Sequence, residues 1–394
     1  MALNVDLFRR LCETPGIPGR EERVRALIAK ETKGLFDSSE TDAMGSLLCV
    51  RKPTRKAKGK PVRVMLAAHM DEIGFFVRHV DDAGMVWVNP AGGFDTRNLF
   101  ASRVLVCTAK GDLKGVMNPG GKPIHISSEA ERTKVPGVEE FFIDLGRDAA
   151  EVKKMVEVGD FVVLDTPFLE TPQKLVSKAI DNRLACFIAI EACRVLAKRR
   201  GGHACEIVSA FTTQEEVGLR GAQTAAYAAK ADIGIGLDVT LACDTPGVPD
   251  NQRVTKQGLG AGIMVQDSSM ISDHTLVAEF VAIAKKHRIP HQKCILPRGG
   301  QDGARALRRH RHGHALHPHH DRDGRQGRPR GHHRAARRVA CERRVTRAAR
   351  AVTPRSCPRA SPCAARCAQA PWRRPYAPCS RARRASRCGA ASRS

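Results

Sequence analysis

Three short apolar, β-forming runs alternate with two helical runs, and this alternation constrains the fold more than any other feature of the chain. The apolar runs cover residues 62–68, 207–213 and 233–237, and the helical runs cover residues 182–198 and 221–230. The order strand, helix, strand, helix, strand is typical of a parallel sheet covered by helices. The sequence therefore predicts an α/β fold with a mainly parallel sheet flanked by helices.

Residues 73–170 interrupt this alternation. They show hardly any helical period, and clusters of Gly, Pro and Asp separate short alternating runs at residues 84–88, 104–109 and 161–164. This pattern is typical of a small β domain. We therefore predict an α/β domain built from residues 1–72 and 171–304, with a small all-β domain of residues 73–170 inserted into it.

The positive charge of the chain is concentrated at one end. The 394 residues carry a formal net charge of +25, but residues 303–394 alone hold 25 Arg, no Lys and three acids. The first 302 residues hold 41 basic and 38 acidic side chains, a net charge of +3. The net charge of the first 302 residues, which carry the regular apolar pattern, therefore does not predict specific binding of nucleic acid.

Residues 305–394 are predicted to form no packed core. Residues 303–394 lack Lys, Asn, Ile, Met and Phe, whose codons are rich in A and T, and they have no strand or helix period. One permitted back-translation of residues 315–327, shifted by one base, encodes RYIHTMTETVDKA. We interpret residues 305–394 as a disordered, Arg-rich tail translated out of frame. The alternative is an authentic tail that binds nucleic acid through its phosphates.

Cysteine usage and the absence of membrane signals indicate a cytoplasmic protein. Eight of the 14 Cys lie in the first 302 residues, scattered and without CxxC pairs, as expected of reduced thiols. The N-terminal residues lack the features of a secretory signal, and no uncharged apolar run approaches the roughly 18–20 residues that span a bilayer. We therefore expect a cytoplasmic location and no membrane partner.

Polar residues with metal-binding side chains follow each of the three apolar runs. They are His69 and Asp71 after the first run, Glu215 and Glu216 after the second and Asp238 after the third, with Asp181 at the start of the first helical run. Ligands of open α/β sheets bind at the carboxyl ends of the strands, so we expect these side chains to meet there. One imidazole among several carboxylates suits Zn, Co or Mn, and two ions that share one carboxylate would relieve the repulsion.

Each of these residues taken alone has a simpler explanation. An acid after a strand is often a helix cap, Glu215 and Glu216 could form the first turn of a helix, and His69 could be a hydrogen-bonded core residue. Their common position at the strand ends of one inferred sheet favours a metal site. Asp71, two residues after His69, is placed to orient a metal-bound imidazole.

Four segments resemble the signatures of the tetrahedral and glutamyl aminopeptidases, which are dinuclear metallopeptidases of the cytoplasm. The segments are AAHMDEIGF, SKAIDNRLAC, TTQEEVGLRGA and GLDVT, and the resemblance runs from about residue 5 to about residue 303. It implies an aminopeptidase that removes N-terminal residues from peptides, with two divalent ions (Zn or Co, or else Mn) and a water that bridges them. It also implies that the inserted β domain is a dimerisation domain, through which dimers build a dodecameric shell.

The resemblance further implies a role for each candidate residue. Carried over by position, His69 and Asp238 bind one ion, Glu216 binds the other, Asp181 bridges both, Glu215 is the general base and Asp71 orients His69. The paired acids also occur in glycoside hydrolases, a label sometimes attached to this family, but His69 and the clustering of ligands favour metals.

The family also requires a C-terminal His ligand in a motif like RYIHT, and this chain lacks that motif in its own frame. Residues 299–304 match the Gly-rich segment that precedes the motif in the family. We therefore expect that loss of the His ligand impairs the activity. An inactive shell-type subunit is the other possibility within this family.

Overall fold

The structure is a computed structural model of the chain that describes residues 3–296. The Arg-rich tail and the Gly-rich segment of residues 299–304 lie outside these residues. The helices are α1 (Val5–Glu13), α2 (Glu22–Glu31), α3 (Glu129–Thr133), α4 (Ala149–Met155), α5 (Ile180–Ala197), α6 (Arg220–Ala229) and α7 (His274–Lys286). The strands are β1 (Ser38–Thr41), β2 (Leu47–Arg51), β3 (Arg63–His69), β4 (Gly74–Val80), β5 (Val86–Ala91), β6 (Ser102–Thr108), β7 (Gly111–Pro119), β8 (Phe141–Asp144), β9 (Phe161–Leu164), β10 (Leu169–Glu170), β11 (Leu175–Val176), β12 (Glu206–Thr212), β13 (Ile233–Gly236), β14 (Ala261–Gln266) and β15 (His291–Ile295).

The sheet that carries the candidate residues has the strand order β1-β2-β12-β3-β13. Strand β3 pairs in parallel with β12 and β13, whereas β2 pairs antiparallel with β12 and with β1. The prediction of a mainly parallel sheet is therefore corrected to a mixed sheet, because a hairpin that we did not predict adds two antiparallel pairings. Its turn is closed by Asp42, which accepts the N–H groups of Met44 and Ser46.

Helices cover both faces of this sheet, as the sequence predicts. Side chains of β3 point alternately to the two faces: Ala68 packs with α1, α2 and α5, while Met65 and Ala67 pack with β12 and α6. Because both faces are covered, the strand is apolar along nearly its whole length. The five predicted elements of the alternation are β3, α5, β12, α6 and β13, with ends that lie within two residues of the prediction.

The segment between β3 and α5 contains a closed barrel with the strand order β4-β5-β8-β7-β6-β9. Its interior is filled by apolar side chains such as Phe75, Val104 and Phe141. We expected a small all-β domain in this part of the chain, and the segment also contains the short helices α3 and α4. Its assignment as a separate dimerisation domain stays a prediction.

Two further features concern the described residues as a whole. Seven of their eight cysteines are buried, and Cys243 is partly exposed. Among residues 3–296, no helix combines the length and the apolarity needed to span a membrane.

Candidate metal centre

The carboxyl ends of three parallel strands place the candidate residues at one edge of the sheet. His69, the last residue of β3, pairs with Thr212 at the end of β12, and Gly236 at the end of β13 pairs with Ala67. The segments that follow these strands therefore start side by side, as the sequence predicts for an open α/β sheet.

The helix α5 brings Asp181 to the same edge. Asp181 and Asn182 have non-helical backbone angles, and the regular helix begins after them. The Asn182 side chain accepts the N–H of Ala185, which caps this helix, and donates to the carbonyl oxygen of Leu237 at 2.9 Å. Asn182 is fully buried. Its hydrogen bond to Leu237 joins the segment carrying Asp181 to the segment carrying Asp238.

His69 lies at the centre of the resulting cluster. Its Nε2 atom is 3.1 Å from Asp181 Oδ1 and 3.8 Å from Glu215 Oε2, and the residue is only 2% exposed. Donor atoms of His69, Glu215 and Glu216 lie within 4.8 Å of one another, and so do those of His69, Asp181 and Asp238. The structure thus brings together all of the residues that the sequence proposes as ligands and general base.

Asp71 joins two parts of the cluster. Its carboxylate is 3.4 Å from His69 Nδ1, but its backbone carbonyl oxygen is closer to that nitrogen, at 3.0 Å. The same carboxylate accepts the backbone N–H of Glu215 at 3.1 Å and that of Glu216 at 3.0 Å. Asp71 is therefore placed to hold the two glutamates as well as the imidazole. Its contacts with the glutamates were not predicted from the sequence.

Burial and neighbouring charges shift the pKa of three members of this cluster, His69, Glu215 and Glu216. Burial raises the pKa of Glu215 to about 7 and that of Glu216 to about 8; nearby carboxylates add to the rise, and His69 opposes it. Burial disfavours the charged form of His69, but hydrogen bonds with Asp181 and Asp71 outweigh burial and raise its pKa well above the usual range. Each shift shows that the cluster favours added positive charge.

The donor set fits divalent cations. One imidazole nitrogen and several carboxylate oxygens are ligands that zinc, cobalt and manganese take in proteins, and they converge here in two groups of donors. A cation between the carboxylates would supply the positive charge that the raised pKa values indicate.

Glu72, which follows Asp71, has a different environment. Lys178 Nζ contacts its two carboxylate oxygens at 2.7 and 2.8 Å, and Arg183 approaches one of them at 3.5 Å. All three side chains are buried, so the carboxylate is neutralised by protein cations. Glu72 thereby differs from the acids that surround His69.

Two buried residues near the cluster were missed by sequence reasoning. They are Asn182, described above, and Glu21, which is 2% exposed and accepts the backbone N–H of Gln214 at 3.0 Å. Asn182 lies inside the segment SKAIDNRLAC, which offered a signal. Glu21 precedes Gln214 by 193 positions, and no local pattern indicates that contact.

Several known proteins with similar sequences and folds are named as aminopeptidases or peptidases. The sequence profile of the M42 glutamyl aminopeptidase family matches residues 45–316. The lysyl aminopeptidase of Pyrococcus furiosus is 30% identical over 317 residues, which cover 78% of this chain and 86% of that protein. A TET aminopeptidase from a marine sediment archaeon, Thaumarchaeota archaeon SCGC AB-539-E09, has a similar structure, with a TM-score of 0.72 and 33% identity over 78% of this chain and 85% of that one.

A second solved structure describes an assembly. The Pyrococcus horikoshii TET1 peptidase, which can form a tetrahedron or a large octahedral shell, gives a TM-score of 0.65 and 30% identity over 76% of this chain and 86% of its own. Because the family profile covers more than half of the sequence, this chain belongs to the M42 glutamyl aminopeptidase family.

Proposed function

We propose that this protein is a metal-dependent aminopeptidase that hydrolyses N-terminal residues from peptides. The observation that carries the proposal is the cluster around His69, in which imidazole and carboxylate donors lie within 4.8 Å of one another in two groups. Family membership supports a hydrolase that acts on peptide bonds.

Two divalent ions, Zn or Co or else Mn, would be held by this cluster. His69 and Asp238 would bind one ion, Glu216 the other, and Asp181 both. When bound, such ions would lower the pKa of a water molecule and polarise the scissile carbonyl group. Asp71 would keep the imidazole oriented, through the contacts of its carboxylate and carbonyl oxygen with His69 Nδ1.

Glu215 would serve as the general base. Its carboxylate borders the cluster, with Oε2 3.8 Å from His69 Nε2, and its side chain is 10% exposed. The carboxylate would accept a proton from the attacking water and return it to the leaving amine. Burial raises the pKa of the metal-free Glu215 carboxylate to about 7, and ions bound beside it would lower that pKa and keep the carboxylate ready to accept a proton.

We further propose that the activity of this chain is impaired by loss of the C-terminal His ligand. Both groups of donors found in residues 3–296 use the same imidazole, that of His69. Within that part of the chain, the second ion therefore has no imidazole of its own. The same observation favours the second candidate function, a subunit that assembles but does not catalyse.

The oligomer and its location follow from the family by analogy. The Pyrococcus horikoshii TET1 peptidase assembles into closed shells. We propose that this chain forms dimers through the barrel of residues 73–170, that dimers build a dodecamer, and that the assembly works on peptides in the cytoplasm.

Hydrolysis of leucyl- and glutamyl-p-nitroanilide tests the proposed function. The full chain and a version whose reading frame is restored after residue 304 are each loaded with Zn or Co, and Glu215→Gln in the restored version is the control. We expect metal-dependent hydrolysis by the restored version and slower hydrolysis by the full chain. A restored version that binds two metal ions but is inactive would contradict the enzymatic proposal. A restored version that is active beside a silent full chain that still assembles would identify the full chain as the non-catalytic subunit.

A further inference from the structure

Three consecutive backbone N–H groups beside the metal centre donate to buried carboxylates. The N–H of Gln214 donates to Glu21 Oε1 at 3.0 Å, and those of Glu215 and Glu216 donate to the two oxygens of Asp71 at 3.1 and 3.0 Å. The backbone of residues 214–216 is therefore held by hydrogen bonds to two acids from different parts of the chain. Asp71 is next to the centre, whereas Glu21 has no place in the roles proposed above.

Glu21 is held firmly where it accepts this bond. The residue is 2% exposed, and the same oxygen, Oε1, accepts the N–H of Gly19 at 2.8 Å. The loop before it is fixed from the other side, since the buried guanidinium of Arg183 donates to the carbonyl oxygens of Leu11, Thr14 and Gly16. The acceptor atom of Glu21 is thus fixed in position by the contacts around it.

The segment that Glu21 holds needs an external support. Gln214 has a φ of 53°, in the left-handed region that costs energy for a residue with a side chain. Such a conformation persists only when surrounding contacts impose it. The hydrogen bond to Glu21 acts on the very residue that adopts it, one position before Glu215.

We propose that Glu21 is a positioning residue that holds the segment of residues 214–216, and through it Glu215 and Glu216, against the metal centre. The inference rests on the proposed function for the roles of these two glutamates. Glu21 acts through the acceptor atom Oε1, and not through its charge. A Gln side chain offers an equivalent acceptor, whereas a Leu side chain removes the acceptor that the N–H groups of Gly19 and Gln214 share.

The test compares Glu21→Gln and Glu21→Leu in the full chain by two measurements. Hydrogen–deuterium exchange reports how well residues 213–218 are held, and titration with Co²⁺, followed by its visible absorption, reports the metal centre. The matched control is Glu191→Leu, which removes a carboxylate that is also buried but is paired with Arg194 on α5. Should Glu21→Leu fail to fold, Glu21→Asp replaces it, because the shorter side chain withdraws the acceptor and keeps the charge.

For Glu21→Leu or Glu21→Asp we expect exchange in residues 213–218 to be about tenfold faster and the affinity for Co²⁺ to be about tenfold lower, as for the loss of a buried hydrogen-bond partner. Glu21→Gln should match the parent chain within about twofold, and Glu191→Leu should leave both measurements at the centre unchanged. Parent-like exchange in Glu21→Leu would overturn the inference, and so would equal damage in Glu21→Gln. If the parent chain binds no Co²⁺ but the exchange pattern is as expected, the proposed function fails and the positioning role stands.

Discussion

His69 Nε2 lies 3.1 Å from Asp181 Oδ1, although 112 positions separate the two residues in the chain. His69 ends β3, Asp181 precedes the regular part of α5, and the whole barrel lies between them in sequence. The contact therefore depends on the chain returning, after the barrel segment, to the same sheet edge. In the two groups of donors, His69 is the member that both share.

Replacement of His69 by Ala should abolish tight binding of divalent ions. Since replacing residues that merely support a metal ligand costs about 10–100-fold in affinity, loss of a ligand shared by both groups should cost more than about 100-fold. Isothermal titration with Zn²⁺ or Co²⁺ measures this loss. His79→Ala is the matched control, because His79 is an exposed residue of the barrel strand β4. Equal affinities for the two variants would show that the cluster does not hold the metal.

Asp71→Asn should weaken both the fold and the centre. An amide has one acceptor oxygen in place of two, so one of the N–H groups of Glu215 and Glu216 loses its buried partner. We expect the free energy of unfolding to fall by about 1–3 kcal/mol, measured by urea denaturation. Asp82→Asn is the comparison, since the fully exposed Asp82 pairs with Lys153 at the surface and its loss should leave the free energy of unfolding nearly unchanged. A parent-like stability of Asp71→Asn would refute the supporting role of Asp71.

Substitution of the adjacent acids Glu215 and Glu216 should separate catalysis from metal binding. In the version with the restored frame, Glu215→Gln should lower kcat by about 10²–10⁴-fold, as for removal of a general base, while both ions still bind. Glu216→Gln should instead lower the affinity for one of the two ions. Steady-state kinetics and metal analysis of both variants check this contrast. If Glu215→Gln lost a metal ion and kept its rate at saturating metal, the two roles would have to be exchanged.

The metal-free protein should become less stable as the pH rises from about 5 to about 8. Burial raises the pKa of Glu21 and Glu215 to about 7 and that of Glu216 to about 8, so the folded state keeps protons that the unfolded state has lost. The raised pKa of His69 acts in the same direction above the usual imidazole range. Stabilisation by these protons is complete below the pKa of the unfolded acids and is lost as the pH passes the folded values.

Thermal unfolding between pH 5 and pH 9, with EDTA or with excess Zn²⁺, measures this dependence. We expect the Tm in EDTA to fall across this range and the Tm with Zn²⁺ to stay level or rise, since the cation replaces the protons. Glu216→Gln should flatten the curve in EDTA, because it removes the group with the highest of the three values. A Tm in EDTA that rises with pH would contradict the assignment.

Much of the sheet and of the candidate site could be predicted because their signals are local. Apolar runs and helical periods indicated β3, α5, β12, α6 and β13, and the residues at the strand ends were readable without knowledge of any contact. The β1–β2 hairpin was not predicted, because the four residues of β1 are all exposed without an apolar pattern and the short apolar run of β2 was not recognised as a strand. With it, the antiparallel half of the sheet was also missed.

By itself, the sequence determined which residue types stand at the ends of the apolar strands, and therefore which chemistry the sheet edge can hold. Only the tertiary structure decided that Glu72 is neutralised by Lys178, 106 positions further along the chain. It alone also brought Glu21 to Gln214. The physical reason is that periodicity and strand ends depend on neighbours in the chain, whereas a hydrogen bond or ion pair across more than one hundred positions depends on how the whole chain packs.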